Sequence, residues 1–227
     1  MSKLKKRFSI RVVIAGFFTI VFCILTCWNE TQAEPASVGT VKQIKSGTLD
    51  REEGNATWNP LPQNSTIHPY DRLRTGPDSV VVLSLTNVGV VLMKSDTEYT
   101  VGSDPMNFKT ILHRGYIWIK TALMHGARLD ISASGAVAGV RGTRVSVLSD
   151  EQGVDICTCT GKVRVTSKTG KIMTVDGGMY GAIGKDGIAE APKQSKPILE
   201  KLWKGETSRF TSCKYCHQKG KKGKANL

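Results

Sequence analysis

The stretch Ser79-Val-Val-Val-Leu-Ser-Leu85 is the strongest structural signal in this chain, and Gly89-Val-Val-Leu-Met93 follows it after a turn region at Asn87. Short apolar runs that are rich in valine and bounded by turn residues are typical of buried β-strands. We therefore predict one strand over residues 79–85 and a second over residues 89–93.

The sequence on both sides of these runs continues the same pattern. Gly is frequent, with 23 residues, and aromatic residues make up only 7% of the chain, which favours turns and strands over long helices. No segment between residues 34 and 192 has helical periodicity. We predict a mainly β fold, an antiparallel sandwich or roll of many short strands. The further predicted strands cover residues 38–47, 115–120, 128–131, 143–148, 154–159, 162–166 and 171–175.

The charge of the chain is concentrated at its two ends. The 227 residues carry a formal charge of +13, but residues 34–192 hold 17 basic and 16 acidic groups, so the middle is nearly neutral. Residues 193–227 hold ten basic groups and two acidic ones. A nucleic-acid-binding domain is expected to carry its positive field on the folded body. This distribution excludes nucleic acid from the expected partners.

The N-terminal residues 1–33 have the features of an export signal. A basic start precedes the apolar stretch 12–28, and Thr31-Gln32-Ala33 is a small-residue cleavage site. If the stretch is not cleaved, its 17 residues are barely long enough to anchor the protein in a membrane. In both cases we expect the rest of the chain to be periplasmic or otherwise extracytoplasmic.

Several motifs, taken in order, resemble the FecR domain, an extracytoplasmic module of bacterial envelope regulators. They are Val38-Gly-Thr-Val, with Trp58 and Leu61 after it, Tyr70-Asp-Arg-Leu-Arg-Thr-Gly-Pro-Asp-Ser79, Val137-Ala-Gly-Val-Arg-Gly-Thr-Arg-Val-Ser-Val147, Gly161-Lys-Val-Arg-Val165 and the turn Gly177-Gly178. The resemblance covers about residues 38–185, and it implies an exported β domain over residues 34–192 with a sensing, regulatory or scaffolding role.

The resemblance does not extend to control of a sigma factor or to catalysis. Only about 11 residues precede the apolar run, too few for the cytoplasmic segment of the regulator that names the family. The sequence has no GxSxG, no HExxH and no pair of acids suited to catalysis, so we expect no enzyme. Arg72, Arg74 and Arg141 lie beside glycine and threonine in predicted turns, where we expect guanidinium groups to have structural roles.

The C-terminal segment, residues 193–227, differs in kind from the domain before it. After a polar linker, a short helix is predicted from Pro197 to Trp203, because Ile198, Leu199 and Leu202 recur at helical spacing. The motif Cys213-Lys-Tyr-Cys216-His217 then matches the attachment sequence of c-type haem. We predict one covalent haem c, with thioethers at Cys213 and Cys216 and His217 as the proximal iron ligand.

Other chemistry is open to the same cysteines. Cys213 and Cys216 can close as a disulfide or redox-active pair, and a zinc site can also draw on Cys157, Cys159 and His217. Strict alternation places Cys157 and Cys159 on one face of a strand, where we expect buried apolar residues or a mutual disulfide. Candidates for the sixth position of a haem iron are His68, His113, His125 and the methionines.

The expected partner is an unknown envelope or redox protein. The five lysines between residues 214 and 224 suit docking to an acidic redox partner, to haem propionates or to an anionic membrane surface. The function expected from sequence is an exported, non-catalytic sensing or scaffolding protein that uses one haem for redox or electron transfer. The alternative is a binding module without haem, whose CxxC is a disulfide or a zinc clasp.

Overall fold

The computed structural model of the chain describes residues 36–54, 56–195, 197 and 200. The predicted signal or anchor and the Cys213, Cys216 and His217 motif lie outside the described residues. Within the described residues, fifteen strands are hydrogen-bonded into one continuous sheet. They are β1 (Gly39–Ser46), β2 (Leu49–Glu53), β3 (Thr57–Pro60), β4 (Thr66–Ile67), β5 (Arg72–Thr75), β6 (Val80–Leu85), β7 (Gly89–Met93), β8 (Glu98–Thr100), β9 (Asn107–Thr121), β10 (Arg128–Ala133), β11 (Ala136–Asp150), β12 (Gly153–Ser167), β13 (Ile172–Asp176), β14 (Met179–Gly184) and β15 (Lys193–Gln194).

The strand pairings divide this sheet into two halves that share three long strands. The first half-sheet runs in the order β4, β1, β6, β7, β9, β11, β12, β14, β15, and it uses the later parts of β9 and β11 and the early part of β12. The second half-sheet runs β3, β2, β5, β8, β9, β10, β11, β12, β13, and it uses the remaining parts of the long strands. Each long strand therefore passes from one half to the other.

Glycines lie where the long strands bend between the halves. Gly115 in β9, Gly142 in β11 and Gly161 in β12 have φ angles of 89°, 63° and 83°, a region that glycine enters without steric cost. The β11–β12 pairing shifts register on both sides of Arg144, as expected for a bulged strand. The bends let the hydrogen-bond ladder continue while the sheet changes direction.

One apolar cluster fills the space between the two half-sheets. Leu83, Ile117 and Val147 come from the first half-sheet, and Phe108 and Val165 come from the second, and all are fully or almost fully buried. Two sheet faces that share one core form a sandwich. The burial of these faces follows from the alternation of apolar and polar residues along the strands.

The predicted mainly β fold is confirmed, with three differences in detail. The segments 154–159 and 162–166, predicted as separate strands, are joined in β12, because Gly161 bends the strand without ending it. The segment 143–148 is likewise part of the longer β11. The pairing of β9 with β10 is parallel in an otherwise antiparallel arrangement.

Little of the predicted C-terminal helix lies within the described residues. Ser195, Pro197 and Glu200 are helical, in agreement with a helix that begins near Pro197. The remainder of that prediction falls outside the described residues. In the part of the chain that the structure describes, no helix has the length and apolar character needed to cross a membrane.

Candidate interaction surface

The exterior of the second half-sheet carries a network of ion pairs. Arg72 in β5 lies between Glu52 and Glu98, with its Nη1 3.0 Å from Glu52 Oε1 and its Nη2 bonded to Glu98. The hydrogen bond that Arg72 donates to Glu98 raises the pKa of Arg72 above its ordinary value. Arg74 Nε donates to Asp50 Oδ2 at 3.0 Å. Neighbouring strands thus place opposite charges side by side on this face.

The indole ring of Trp58 completes this network. The guanidinium carbon of Arg74 lies 4.5 Å from the ring centroid, and that of Arg72 lies 5.7 Å away. These are distances at which a cation is attracted to an aromatic face. Arg72 and Arg74 lie in strand β5 and Arg141 lies in β11, so their predicted placement in turns is wrong. The guanidinium groups of Arg72 and Arg74 are engaged by neighbouring strands of the same half-sheet.

Replacing Arg72 with alanine is expected to lower the free energy of unfolding by about 1–2 kcal/mol, because the side chain is 39% exposed and solvent screens its ion pairs. Arg141→Ala is the matched control, since Arg141 is exposed, and we expect it to change stability by less than about 0.5 kcal/mol. Urea unfolding of both variants checks this. Equal losses would show that the network contributes nothing specific.

The exterior of the first half-sheet is apolar and buried, in contrast to the charged exterior of the second. Strand register aligns one residue from each of six neighbouring strands in a line that we call the outer row. Most of these residues belong to an apolar cluster separate from the main core. The members of the outer row are Val82, Leu92, Trp118, Ser146, Cys157 and Tyr180.

Burial along the outer row is nearly complete. Trp118 is 2% exposed and Cys157 is 0% exposed. The Nε1 of Trp118 and the Oγ of Ser146 are buried and have no hydrogen-bond partner among the described residues. Polar atoms that are buried in a native protein are usually paired. The outer row therefore resembles a buried interface, with apolar side chains and a few buried polar atoms, more than a solvent-exposed sheet face.

Charged groups lie next to the outer row. Asp155 in β12 lies two residues before Cys157 on the same face and is only 2% exposed. Lys94 lies beyond the end of β7, and its backbone N–H donates to the carbonyl of Tyr116 at 3.1 Å. Burial lowers the pKa of Lys94, and the positive charge of Lys45 lowers it further. The first half-sheet thus combines an apolar row with the buried carboxylate of Asp155 and with the lysines Lys94 and Lys45 next to it.

The two cysteines of β12 have different chemical states. Both belong to the cluster on the outer face, so the prediction that they share a face is confirmed. Cys159 is disulfide-bonded, whereas Cys157 is a buried thiol, so the predicted mutual disulfide is wrong. The Cα atoms of residues two apart on a strand are about 6.6 Å apart, and because their Cβ directions are parallel, the Cβ atoms are about as far apart. A disulfide needs its Cβ atoms within about 4.5 Å, so it cannot bridge them. The partner of Cys159 therefore lies outside the described residues.

The predicted ligand residues are not brought together within the described ranges. Cys213, Cys216 and His217 lie outside them. The ring Nε2 of His113 is 2.8 Å from Thr100 Oγ1. His68 lies beside Asp71, and His125 is exposed in a loop. Among the described residues, no group of three or more His, Cys, Asp or Glu side chains is arranged to hold a metal ion.

The outer row was not predicted from the sequence, although the sequence contains a signal for it. Gly115-Tyr-Ile-Trp-Ile-Lys120 is an almost continuous apolar run, as are Val81 to Leu83 and Val90 to Met93. Continuous apolar runs are typical of strands that are buried on both faces. Reading both faces of these strands identifies Trp118 as part of a second buried layer.

Comparison with known proteins gives a family match and matches to solved structures. The family model described as FecR protein matches residues 71–164, so the resemblance seen in the sequence is confirmed over that range. A 2.50 Å crystal structure from Parabacteroides distasonis, provisionally assigned as an anti-sigma factor, matches with a TM-score of 0.50 and 14% identity over 58% of this chain and 63% of that chain. A 1.65 Å structure with the same description matches with a TM-score of 0.49 and 14% identity over 57% of this chain and 63% of that chain.

The match with a TM-score of 0.50 shows a shared fold. The chain spans less than two thirds of the length of the solved structures that it matches, and sequence identity is low. Comparison with the curated proteins finds no match.

Proposed function

We propose that this protein is a non-catalytic sensing or regulatory module of the bacterial cell envelope. The observation that carries the proposal is the FecR match over residues 71–164, which covers the strands that both half-sheets share. FecR proteins are associated with the envelope, and the basic and apolar residues before residue 34 suit export. Such a module acts through binding, and the charged exterior of the second half-sheet supplies an accessible surface.

A deletion experiment tests the regulatory role. We expect loss of the gene to change the levels of a defined set of transcripts, and wild-type protein supplied in the envelope to restore them. A variant that keeps the export segment but has an unfolded sandwich should fail to restore them. Unchanged transcript levels across envelope stress conditions would contradict a regulatory role and leave scaffolding as the function.

The finer proposal for the C-terminal segment is one covalent haem c. Its support is the Cys213, Cys216 and His217 motif, together with the predicted export that covalent attachment requires. When bound, the haem would supply one-electron redox chemistry. The basic residues around the motif suit an acidic redox partner.

The intact mass and visible spectrum of the exported protein test this proposal. In a host that matures c-type cytochromes, we expect a mass increase of one haem and a Soret band that persists after denaturation. The Cys213→Ser, Cys216→Ser double variant should lose both signals. A colourless protein with the mass of the bare chain would exclude the haem.

The haem-free alternative is favoured by a specific observation. Cys159 is disulfide-bonded to a cysteine outside the described residues. If the predicted signal is cleaved, the remaining candidates are Cys213 and Cys216, and a haem needs both of these thiols for its two thioethers. A cysteine in a disulfide also cannot ligate zinc as a thiolate, which removes Cys159 from the zinc alternative.

A further inference from the structure

The burial of the outer row requires a covering segment. All described members of its cluster come from one face of the sheet, and the cluster includes no described residue from a second layer. Side chains in strands stand roughly perpendicular to the sheet, so a bare face leaves large side chains open to water. Trp118 is only 2% exposed, which a bare sheet face does not explain.

The C-terminal segment leaves the sheet close to the outer row. Ser195 is buried, and its backbone N–H and its Oγ both donate to the carbonyl of Gly178, at 2.9 and 2.6 Å. The N–H of Gly178 in turn donates to the carbonyl of Thr158 at 2.8 Å. Ser195, where the chain leaves the sheet, thus lies two strand spacings, about 10 Å, from Thr158, the residue that precedes Cys159.

The N-terminal segment enters at the far edge of the same half-sheet. The N–H of Val38 donates to the carbonyl of Ile67, and the chain then continues into β1. The order β1, β6, β7, β9, β11, β12 separates β1 from β12 by five strand spacings, about 24 Å. The C-terminal segment is therefore the better placed of the two.

The composition of the C-terminal segment matches the surface it would cover. Leu202 and Trp203 are apolar, and residues 201–227 hold eight Lys and Arg residues against one acid, Glu206. On the sheet, the outer row is apolar and Asp155 is a buried carboxylate, which is stable only where cationic or hydrogen-bonding groups reach it. The segment also contains the only cysteines that follow Cys159.

We propose that residues 201–227 fold back over the outer row and are fastened there by a disulfide between Cys159 and either Cys213 or Cys216. This inference does not rest on the regulatory role proposed above. The bond forms by thiol–disulfide exchange with a second, oxidising disulfide. The two thiols of this chain lose two electrons and two protons, and the second disulfide is reduced to two thiols. The fastened form cannot carry a haem on two thioethers, and reduction releases both the segment and the thiols.

Peptide mapping of the exported, full-length protein under non-reducing conditions tests the disulfide. Trypsin places Cys159 in peptide 145–162, Cys213 in 210–214 and Cys216 in 215–219. We expect 145–162 to be linked to 210–214 or to 215–219, with fragmentation locating the bond at Cys159. A link between the two C-terminal peptides, a link to a peptide that holds Cys23 or Cys27, or Cys159 recovered as a thiol would overturn the proposal.

Matched alanine variants test the covering role. In Cys159→Ala we expect tryptic cleavage at Lys214 and Lys219 to be about 10-fold faster than in wild type, because the segment is no longer held at high local concentration. In Thr160→Ala, which changes an exposed residue next to Cys159 outside the outer row, the rate should be unchanged. Equal rates in wild type and Cys159→Ala would overturn the proposal. The peptide map needs no variant, so a variant that fails to fold leaves the test intact, and neither readout involves the regulatory partner.

Discussion

Replacing Trp118 with alanine is expected to lower the free energy of unfolding by about 3–5 kcal/mol, the range for deleting a large buried aromatic side chain. The indole is 2% exposed and lies between Leu92 and Ser146 in the outer row. Truncation removes its contacts with the sheet and leaves a cavity that the paired backbone cannot collapse to fill. Urea or thermal unfolding, followed by far-UV circular dichroism, measures the loss.

Trp58→Ala is the control for the Trp118 variant, because it makes the same chemical change on the opposite exterior. Trp58 is partly exposed and contacts the guanidinium groups of Arg72 and Arg74. We expect a loss of about 1 kcal/mol, the value of an exposed cation–π contact. Similar losses in the two variants would contradict the view that the first half-sheet is buried on both faces.

Replacing Gly153 with alanine is expected to destabilise the protein by about 3 kcal/mol or more, since backbone strain and steric overlap add. Gly153 begins β12 with a φ of 134°, which L side chains rarely adopt. A Cβ at this position would overlap the carbonyl oxygen of Ile183 and lie 2.9 Å from the carbonyl carbon of Gly184. Both are backbone atoms of the paired strand β14 and cannot move aside alone.

Gly170→Ala separates the two contributions in the Gly153 variant. Gly170 also has a positive φ, 80°, but a Cβ there would have no heavy atom within 4 Å. We expect a loss of about 1 kcal/mol, the cost of the backbone conformation without the overlap. Chemical denaturation of both variants gives the difference. A Gly153 variant as stable as the Gly170 variant would show that β14 yields easily at this position.

The strands were predictable because each depends on a local pattern. Apolar runs such as 79–85 and alternating runs such as 171–175 correspond to β6 and β13. The joining of segments at Gly161 was not predictable, since a glycine between two strands is compatible with a turn or with a bend. The parallel pairing of β9 with β10 depends on contacts far apart in the chain, which local patterns do not encode.

The candidate surface was only partly predictable. Arg72 and Arg74 were expected in turns but lie in β5, and their partners on β2 and β8 depend on strand order, which the local sequence does not show. Of the two alternatives for Cys157 and Cys159, buried apolar residues or a mutual disulfide, the disulfide is excluded, because sequence proximity does not measure Cβ geometry on an extended strand. The outer row is visible only when strand register is known, because its six members come from six different strands.

The three strands that belong to both half-sheets make the sandwich a single cooperative unit. If β9, β11 or β12 separates from its neighbours in one half-sheet, the rest of the same strand loses its alignment in the other half-sheet. Neither half can melt while its neighbour stays native, so the charge network and the outer row are lost in one transition. A change of stability at either exterior therefore sets the lifetime of the whole module, including the attachment point at Cys159.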